Sequence, residues 1–249
     1  MLSNQIQRDW YISFEEEGHI YKLIGYDKNL ISVTTLIKKY HSHFNSDKII
    51  TNMMKSYKWS QSKYFGKTPD EIKNEWKTLA DEAALAGTKL HKSIEMYLNN
   101  EEIKNNTIEF KFFLDFWNYF IIKYPTYKLY RTEWIIYDED INLAGSIDCV
   151  LENENGELII LDWKRTKNLN TFNQYENCFV PFDNLTNCNY SHYTLQLNMY
   201  KQILTSKYNK KVIDMMLVIL HPINSTFICT TIDSLDLTEY WYELNTIID

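Results

Sequence analysis

The spacing of apolar and polar positions changes along the chain, and each change predicts an element. The opening stretch "WYISFEEEGHIYKLIGYDKNLISVTTLI" alternates as a hairpin does, after which Ser32 and Thr34 offer N-caps to a helix through Tyr40. Residues 44–66 are polar and aromatic, and their pattern supports no more than a short helix. Helical spacing then runs from 68 to 98, with Thr68 as cap, Pro69 in the first position and Glu71 completing a capping box. Gly87 is the expected point of a break. A second helix, "NTIEFKFFLDFWNYFIIKYP", is read as capped at Asn106 with Glu109 and stopped by Pro125. Strands follow at 128–137, 145–152 and 157–164. A polar and aromatic loop, 166–190, leads into the helix "SHYTLQLNMYKQIL". "VIDMMLVILHP" and "TFICTTID" read as two further strands, and "LTEYWYELNTII" as a closing helix.

That order predicts an α/β fold, a central mixed sheet flanked by helices. A chain of 249 residues with only six Gly and four Pro leaves little room for a flexible linker. It is read as one domain over 1–249, with 1–125 mostly helical and 126–249 holding the sheet core.

Composition narrows the chemistry. The net charge is −7, so no general basic footprint for nucleic acid exists, and a polyanion would need local cations or a metal ion. Four Cys, at 149, 178, 188 and 229, form no C-x-x-C pair. They are read as free thiols of an intracellular, soluble protein, with no iron–sulfur cluster. The first residues lack an apolar signal core, and no run approaches the ~20 apolar residues of a membrane helix.

The informative stretch is "LAGSIDCVLENENGELIILDWKRTK", 143–167. It reads as a hairpin around Asn155-Gly156, yet Asp148 and Asp162 sit among Ile, Val and Leu. Strand alternation puts Asp162 and Lys164 on one face and Trp163 on the other. A two-residue turn would set Cys149 opposite Asp162 and send Asp148 away; a three-residue loop, 154–156, would pair Asp148 with Asp162. Both turns suit the string. Chemistry favours the second, because an isolated ionised Asp in an apolar strand costs several kcal/mol. Two facing carboxylates repel, and a divalent cation with a preference for hard oxygen ligands, Mg²⁺ or Mn²⁺, relieves them.

"GSID…LDWK" followed by "QLNMY" resembles the PD-(D/E)XK nuclease superfamily, and within it the RecB-type exonuclease branch. "SVTTLI" (32–37), "GTKLHKSIE" (87–95) and "EWIIYDEDINLAGSID" (133–148) resemble further segments of that branch in the same order. The resemblance implies a restriction-endonuclease-like core with an N-terminal helical arch, the helix over 68–98 being part of it. It implies Asp148 and Asp162 as metal ligands with the Trp163 carbonyl and His91 beside them, holding one or two Mg²⁺ or Mn²⁺ ions. Lys164 would be the catalytic lysine, and Glu133 would orient it or a ligand. Ser32, Thr34, Arg165, Gln196 and Tyr200 would contact or support the substrate. Ordinary structural readings stand beside these: His91 as a core histidine, Gln196 and Tyr200 as helix packing, Ser32 and Thr34 as helix caps.

The implied activity is metal-dependent hydrolysis of DNA, single-stranded or with free ends, to 5′-phosphate products. A structure-specific endonuclease, an RNA-cutting enzyme or a silent nucleic-acid-binding member shares the same residues. "DWKRTK" departs from the branch, since Arg165 stands where Thr is common. No membrane partner is implied, and the sequence names no protein partner.

Overall fold

The computed structural model describes residues 4–26 and 28–245. In chain order the elements are β1 (Ile12–Glu15), β2 (Ile20–Leu23), β3 (Lys28–Ser32), α1 (Val33–Lys38), α2 (Ser46–Lys55), α3 (Pro69–Leu98), α4 (Ile108–Lys123), β4 (Lys128–Asp138), β5 (Leu143–Glu152), β6 (Glu157–Lys164), α5 (Asn189–Tyr208), β7 (Lys211–Ile219) and β8 (Ile228–Thr231). The chain divides into two compact units, one formed by residues up to Ser42 with those from His91 onward, the other by His43–Leu90. Helix α3 passes from the second unit into the first.

The first unit is a mixed α/β structure around an eight-stranded sheet in the order β1-β2-β3-β5-β6-β7-β8, with β4 also paired to β5. The β3–β5 and β6–β7 pairs are parallel and the rest antiparallel. The sheet therefore reaches beyond 126–249, because the N-terminal meander joins it through Ile31↔Leu143 and Ser32↔Ala144. Strand β5 is buried along most of its length, and its apolar residues join the core formed with α1 and α5. On one face, α1 and α5 contribute Leu36, Ile37, Leu197, Ile203 and Leu204 to the core. On β6, Trp163 turns to α4, its ring 5.5 Å from Phe113 and 5.7 Å from Phe116, both edge-on.

One edge of β5 belongs to β4 over its whole length. The other edge is shared: β3 holds Leu143 and Ala144, and β6 holds Cys149 to Glu152. Between them lie Gly145 to Asp148, where the neighbouring strands part. Tyr200 of α5 fills this gap from above. A Cβ on Gly145 would lie 2.5 Å from Tyr200 Cε1, so only glycine permits the ring to sit on the strand.

The predicted elements agree with the structure in most places, and the differences have local causes. The capping box at Thr68 forms, with Thr68 N donating to Glu71 Oε2 at 2.7 Å. Helix α3 runs unbroken through Gly87. Helix α4 is capped one residue later than read, by Thr107, whose hydroxyl accepts from Phe110 N. Glu109 is drawn off instead to Arg165. Among the described residues of "LTEYWYELNTII" there is no α-helix, only turns and a 3₁₀ turn at Glu243–Asn245. Buried Trp241, whose indole donates to Asp138 Oδ2 at 2.9 Å, binds the segment to the core at the expense of helical spacing. No helix among the described residues is long and apolar enough to cross a membrane.

The second unit is a small helical cluster. Ile50, Tyr64 and Ile72 form its centre, with Met53, Trp59 and Trp76 packed around them. Trp76 Nε1 donates to Tyr64 Oη at 2.8 Å, and Lys73 pairs with Asp47.

Replacing Gly145 with Ala forces the buried Tyr200 ring aside. We expect Gly145→Ala to destabilise the chain by about 1–3 kcal/mol in denaturant unfolding, whereas Gly87→Ala, which meets nothing within 4 Å, is neutral or stabilising.

Candidate metal centre

The site grows from two small irregularities in strand pairing. The β5–β6 loop closes with Asn153 N donating to Glu157 O at 3.1 Å, leaving three residues, 154–156, with Gly156 at φ +75°. The ladder that follows pairs Cys149 with Leu161. One step further in that register, Asp148 stands opposite Asp162, as the three-residue loop requires. On the other side, a register shift between Leu129 and Arg131 pairs Thr132 with Cys149 and Trp134 with Ile147. This shift places Glu133 opposite Asp148. Glu133, Asp148 and Asp162 thus form one row across three neighbouring strands. Glu133 has φ +45°, a left-handed backbone that costs a non-glycine residue of order 1–3 kcal/mol.

His91, from the C-terminal part of α3, completes the group. Its Nε2 lies 3.0 Å from the Trp163 carbonyl oxygen. A carbonyl only accepts, so Nε2 carries the hydrogen and, in the neutral ring, Nδ1 presents its lone pair. That lone pair faces carboxylate oxygens, 3.6 Å from Asp148 Oδ2 and 4.0 Å from Glu133 Oε1. Ligand atoms of His91, Glu133 and Asp148 all lie within 4.8 Å of one another. One nitrogen and several carboxylate oxygens converge here, a donor set that is compatible with a divalent cation once its protons have left.

Asp148 is held in place by its neighbour strand, Oδ2 accepting from Trp163 N at 2.8 Å. Asp162 lies deeper, 2% exposed. Lys164 Nζ sits 3.0 Å from its Oδ1 and 2.8 Å from its Oδ2, yet only the first contact has hydrogen-bond alignment, and Oδ2 is left without one. An orphaned, buried carboxylate oxygen beside the cluster is a further acceptor for a cation.

The titration behaviour follows from this crowding. Burial pushes the Glu133 carboxyl up to about 8, reinforced by the Asp148 charge and moderated by the Ser146 hydroxyl, which donates to Glu133 Oε2 at 3.2 Å. Burial also pushes Asp162 up to about 6, a rise limited by Lys164. For Lys164, burial opposes the charged form, but Asp162 and Asp148 outweigh it and raise the ammonium above its ordinary value.

The structure thus brings together Glu133, Asp148, His91, Asp162 and Lys164, and redistributes roles among the other residues read from sequence. The Trp163 carbonyl accepts from the His91 ring N–H, so here it orients the histidine. Ser32 caps α1, its hydroxyl accepting from Thr35 N at 3.0 Å and meeting Thr34 Oγ1 at the same distance. Both hydroxyls serve the helix start. Arg165 is paired to Glu109 at 2.8 Å and is held against α4. Gln196 and Tyr200 are buried, with Gln196 Nε2 donating to Tyr200 Oη at 3.0 Å. They support the strand at Gly145 from the interior.

Three residues escaped the sequence reading. Ser146 binds Glu133, the Tyr193 ring lies 5.2 Å from Lys164 Nζ, and buried Tyr21 sits near enough to Glu133 and Asp148 for their charges to raise its hydroxyl pKa further. Nothing in the sequence singled out these three; beside them Gly145, a glycine inside a strand, carried the signal of a close approach.

No family model matches the chain, and no curated protein matches it. Among solved structures it is similar to SSO0001, at 14% identity and TM-score 0.34 over 90% of this chain and 78% of that one. It is also similar to a candidate exonuclease from Eubacterium rectale, at 12% identity and TM-score 0.35 over 87% and 77%. Likeness at this level decides nothing about chemistry, which rests on the site itself.

The raised carboxyl of Glu133 has a defined consequence. Its ordinary value is 4.5 and its folded value about 8, so the folded state holds this proton more tightly than the unfolded state does. Stability of the metal-free protein should therefore fall as pH rises between these values and level off above them. Thermal unfolding from pH 5 to 8.5 in EDTA should show the fall, and Glu133→Gln should flatten it. At pH 8, Mn²⁺ at about 100 times its Kd should stabilise the wild type by roughly 2.7 kcal/mol, and Asp148→Asn should lose most of that gain.

Proposed function

We propose that the chain is a metal-dependent nuclease that hydrolyses phosphodiester bonds in DNA, acting as an exonuclease on single-stranded ends. The observation that carries this reading is the row Glu133–Asp148–Asp162 with the His91 lone pair at one end and the Lys164 ammonium at the other. A structural cluster of this kind would pair each acid with a base. Here, among the described residues, the three acids face the Lys164 ammonium and the His91 ring and form no other ion pair. The motifs that resemble the RecB-type branch of the PD-(D/E)XK superfamily fall on these same five residues, which further supports it.

Glu133, Asp148 and His91, with Asp162 beside them, would hold one or two Mg²⁺ or Mn²⁺ ions. Such an ion, when bound, supplies Lewis-acid polarisation of a phosphate and a water of lowered pKa. The chain's own groups do the rest. Lys164 is pinned by Asp162 with its ammonium fully charged, so it can donate to a water or to a non-bridging phosphate oxygen as negative charge builds there. Trp163 fixes both neighbours at once: its N–H holds Asp148 and its carbonyl holds His91. The buried indole, packed on Phe113 and Phe116, makes that backbone segment rigid. Ser146 keeps Glu133 turned toward the cluster.

The decisive assay supplies Mg²⁺ or Mn²⁺ with end-labelled linear and circular single-stranded DNA. We expect the linear strand to be degraded and the circle spared, and EDTA to stop the reaction. Lys164→Ala and Asp162→Asn should each lower the rate at least about a hundredfold while leaving a cooperative unfolding transition. Undiminished degradation by both folded variants would overturn the assignment, and cutting of the circle would move it to an endonuclease.

A further inference from the structure

The second unit departs from the charge balance of the rest of the chain. Residues 48–69, "KIITNMMKSYKWSQSKYFGKTP", contain five Lys and no Asp or Glu, in a chain of net charge −7. Aromatic residues are interleaved with these lysines at Tyr57, Trp59, Tyr64 and Phe65. Tyr64 faces inward, but Tyr57 is 88% exposed and Phe65 59%. An isolated exposed aromatic needs no explanation, whereas a run of them alternating with unpaired cations does.

The local geometry makes a receptive hollow. After α2, a 3₁₀ turn at Trp59–Gln61 folds the chain back, with Ser56 Oγ accepting from Lys58 N and Ser62 Oγ from Tyr64 N. The turn borders an open surface hollow of about 280 Å³ lined by Met53, Ser56, Lys58, Trp59, Gln61 and Ser62. One wall is an indole, the rim carries a lysine, and the Gln61 side-chain amide makes no hydrogen bond among the described residues. Lys67 is paired with Glu75. Lys48, Lys55 and Lys58 have no ion pair among the described residues. Lys58 lies 5.5 Å from the Tyr57 ring and Lys63 4.7 Å from that of Tyr64, so both ammoniums stand beside an aromatic face.

We propose that this turn is a docking site for an unpaired stretch of single-stranded DNA. One base would enter the hollow against Trp59 and a neighbouring base stack on Tyr57. Lys55, Lys58 and Lys63 would neutralise the flanking phosphates. Flat apolar surface alternating with cations fits a strand whose bases and phosphates alternate at similar spacing, and base stacking is available only where the strand is unpaired. A folded protein partner would have to meet the same lysines with acids, and would gain little from the base-sized hollow. The choice of DNA rests on the nuclease reading above; the site itself is independent of the metal centre.

The test is fluorescence anisotropy of a labelled 20-nucleotide single strand with the full chain in EDTA, where no cleavage occurs. Wild type should bind with an affinity that falls with salt at a log–log slope near −2, as about three phosphate contacts predict. Tyr57→Ala should weaken binding about tenfold, and Lys55→Glu with Lys58→Glu should weaken it further and flatten the salt slope. Both changes lie at exposed positions, so unfolding midpoints serve as the folding control. A duplex of the same sequence should bind at least tenfold more weakly. The proposal is overturned by variants that bind as wild type does, by equal affinity for duplex, by tighter binding of the ribonucleotide strand, or by no saturable binding. Should the wild type bind in this way yet never cleave with any metal, the nuclease reading falls and the docking site stands. Cleavage with unchanged variant binding gives the reverse.

Discussion

Strand register is the constraint on which the rest of the site depends. Side chains alternate with a period of two, so a slip of one residue in either pairing of β5 would scatter the three carboxylates over both faces of the sheet. Two local devices prevent it. Gly156, in the left-handed region, allows the three-residue loop that sets Asp148 against Asp162. The shift between Leu129 and Arg131 brings Glu133, in place of Thr132, opposite Asp148. Tyr200 then closes the region over Gly145, where a larger residue would have pushed α5 off the sheet.

Register creates an electrostatic debt in the metal-free protein. With all three acids ionised, the row carries three negative charges against the single positive charge of Lys164, and His91 adds a lone pair to the same space. The apo chain answers by holding protons: burial pushes Glu133 to about 8 and Asp162 to about 6. Two positive charges would balance the row completely, which is the charge of one alkaline-earth or manganese ion. Protons and a cation therefore compete for the same oxygens, and near neutral pH the cation displaces a proton chiefly from Glu133.

Much of this was legible in the sequence, for identifiable reasons. Period-two and period-3.6 patterns locate the strands of the hairpin and the helices α3, α4 and α5, because burial of one face dictates both. Asp148, Asp162 and Lys164 stood out since charge among Ile, Val and Leu needs compensation. The cost of an isolated Asp favoured the three-residue loop, which is the one that forms, although the Asn155-Gly156 string by itself suits both turns and left that choice not legible. Nor was the fate of the Trp163 carbonyl, Arg165, Gln196 and Tyr200, because whether a polar group faces a ligand or a neighbour depends on contacts remote in sequence. Arg165 meets Glu109 across 56 residues. The closing segment misled for the same reason: one buried Trp241 outweighed a helical pattern.

The strained backbone of Glu133 shows how the first unit keeps an unfavourable geometry. A left-handed glutamate in mid-strand would relax if its flanks were free. They are not. Asp9, in the N-terminal segment, accepts from Arg131 Nη1 at 2.7 Å and from Trp134 Nε1 at 3.0 Å, gripping β4 on both sides of the strained residue. The pair with Arg131 is nearly buried, and Arg131 also stacks 4.9 Å over the Trp134 ring. Losing one partner of such a pair typically costs 3–5 kcal/mol, more than the ~1–3 kcal/mol stored at a left-handed residue. The clamp therefore outweighs the strain. A residue more than a hundred positions away in sequence thus holds Glu133 in the conformation that aims it at Asp148 and His91, and through that conformation Asp9 belongs to the metal centre although it is not one of the residues that form it.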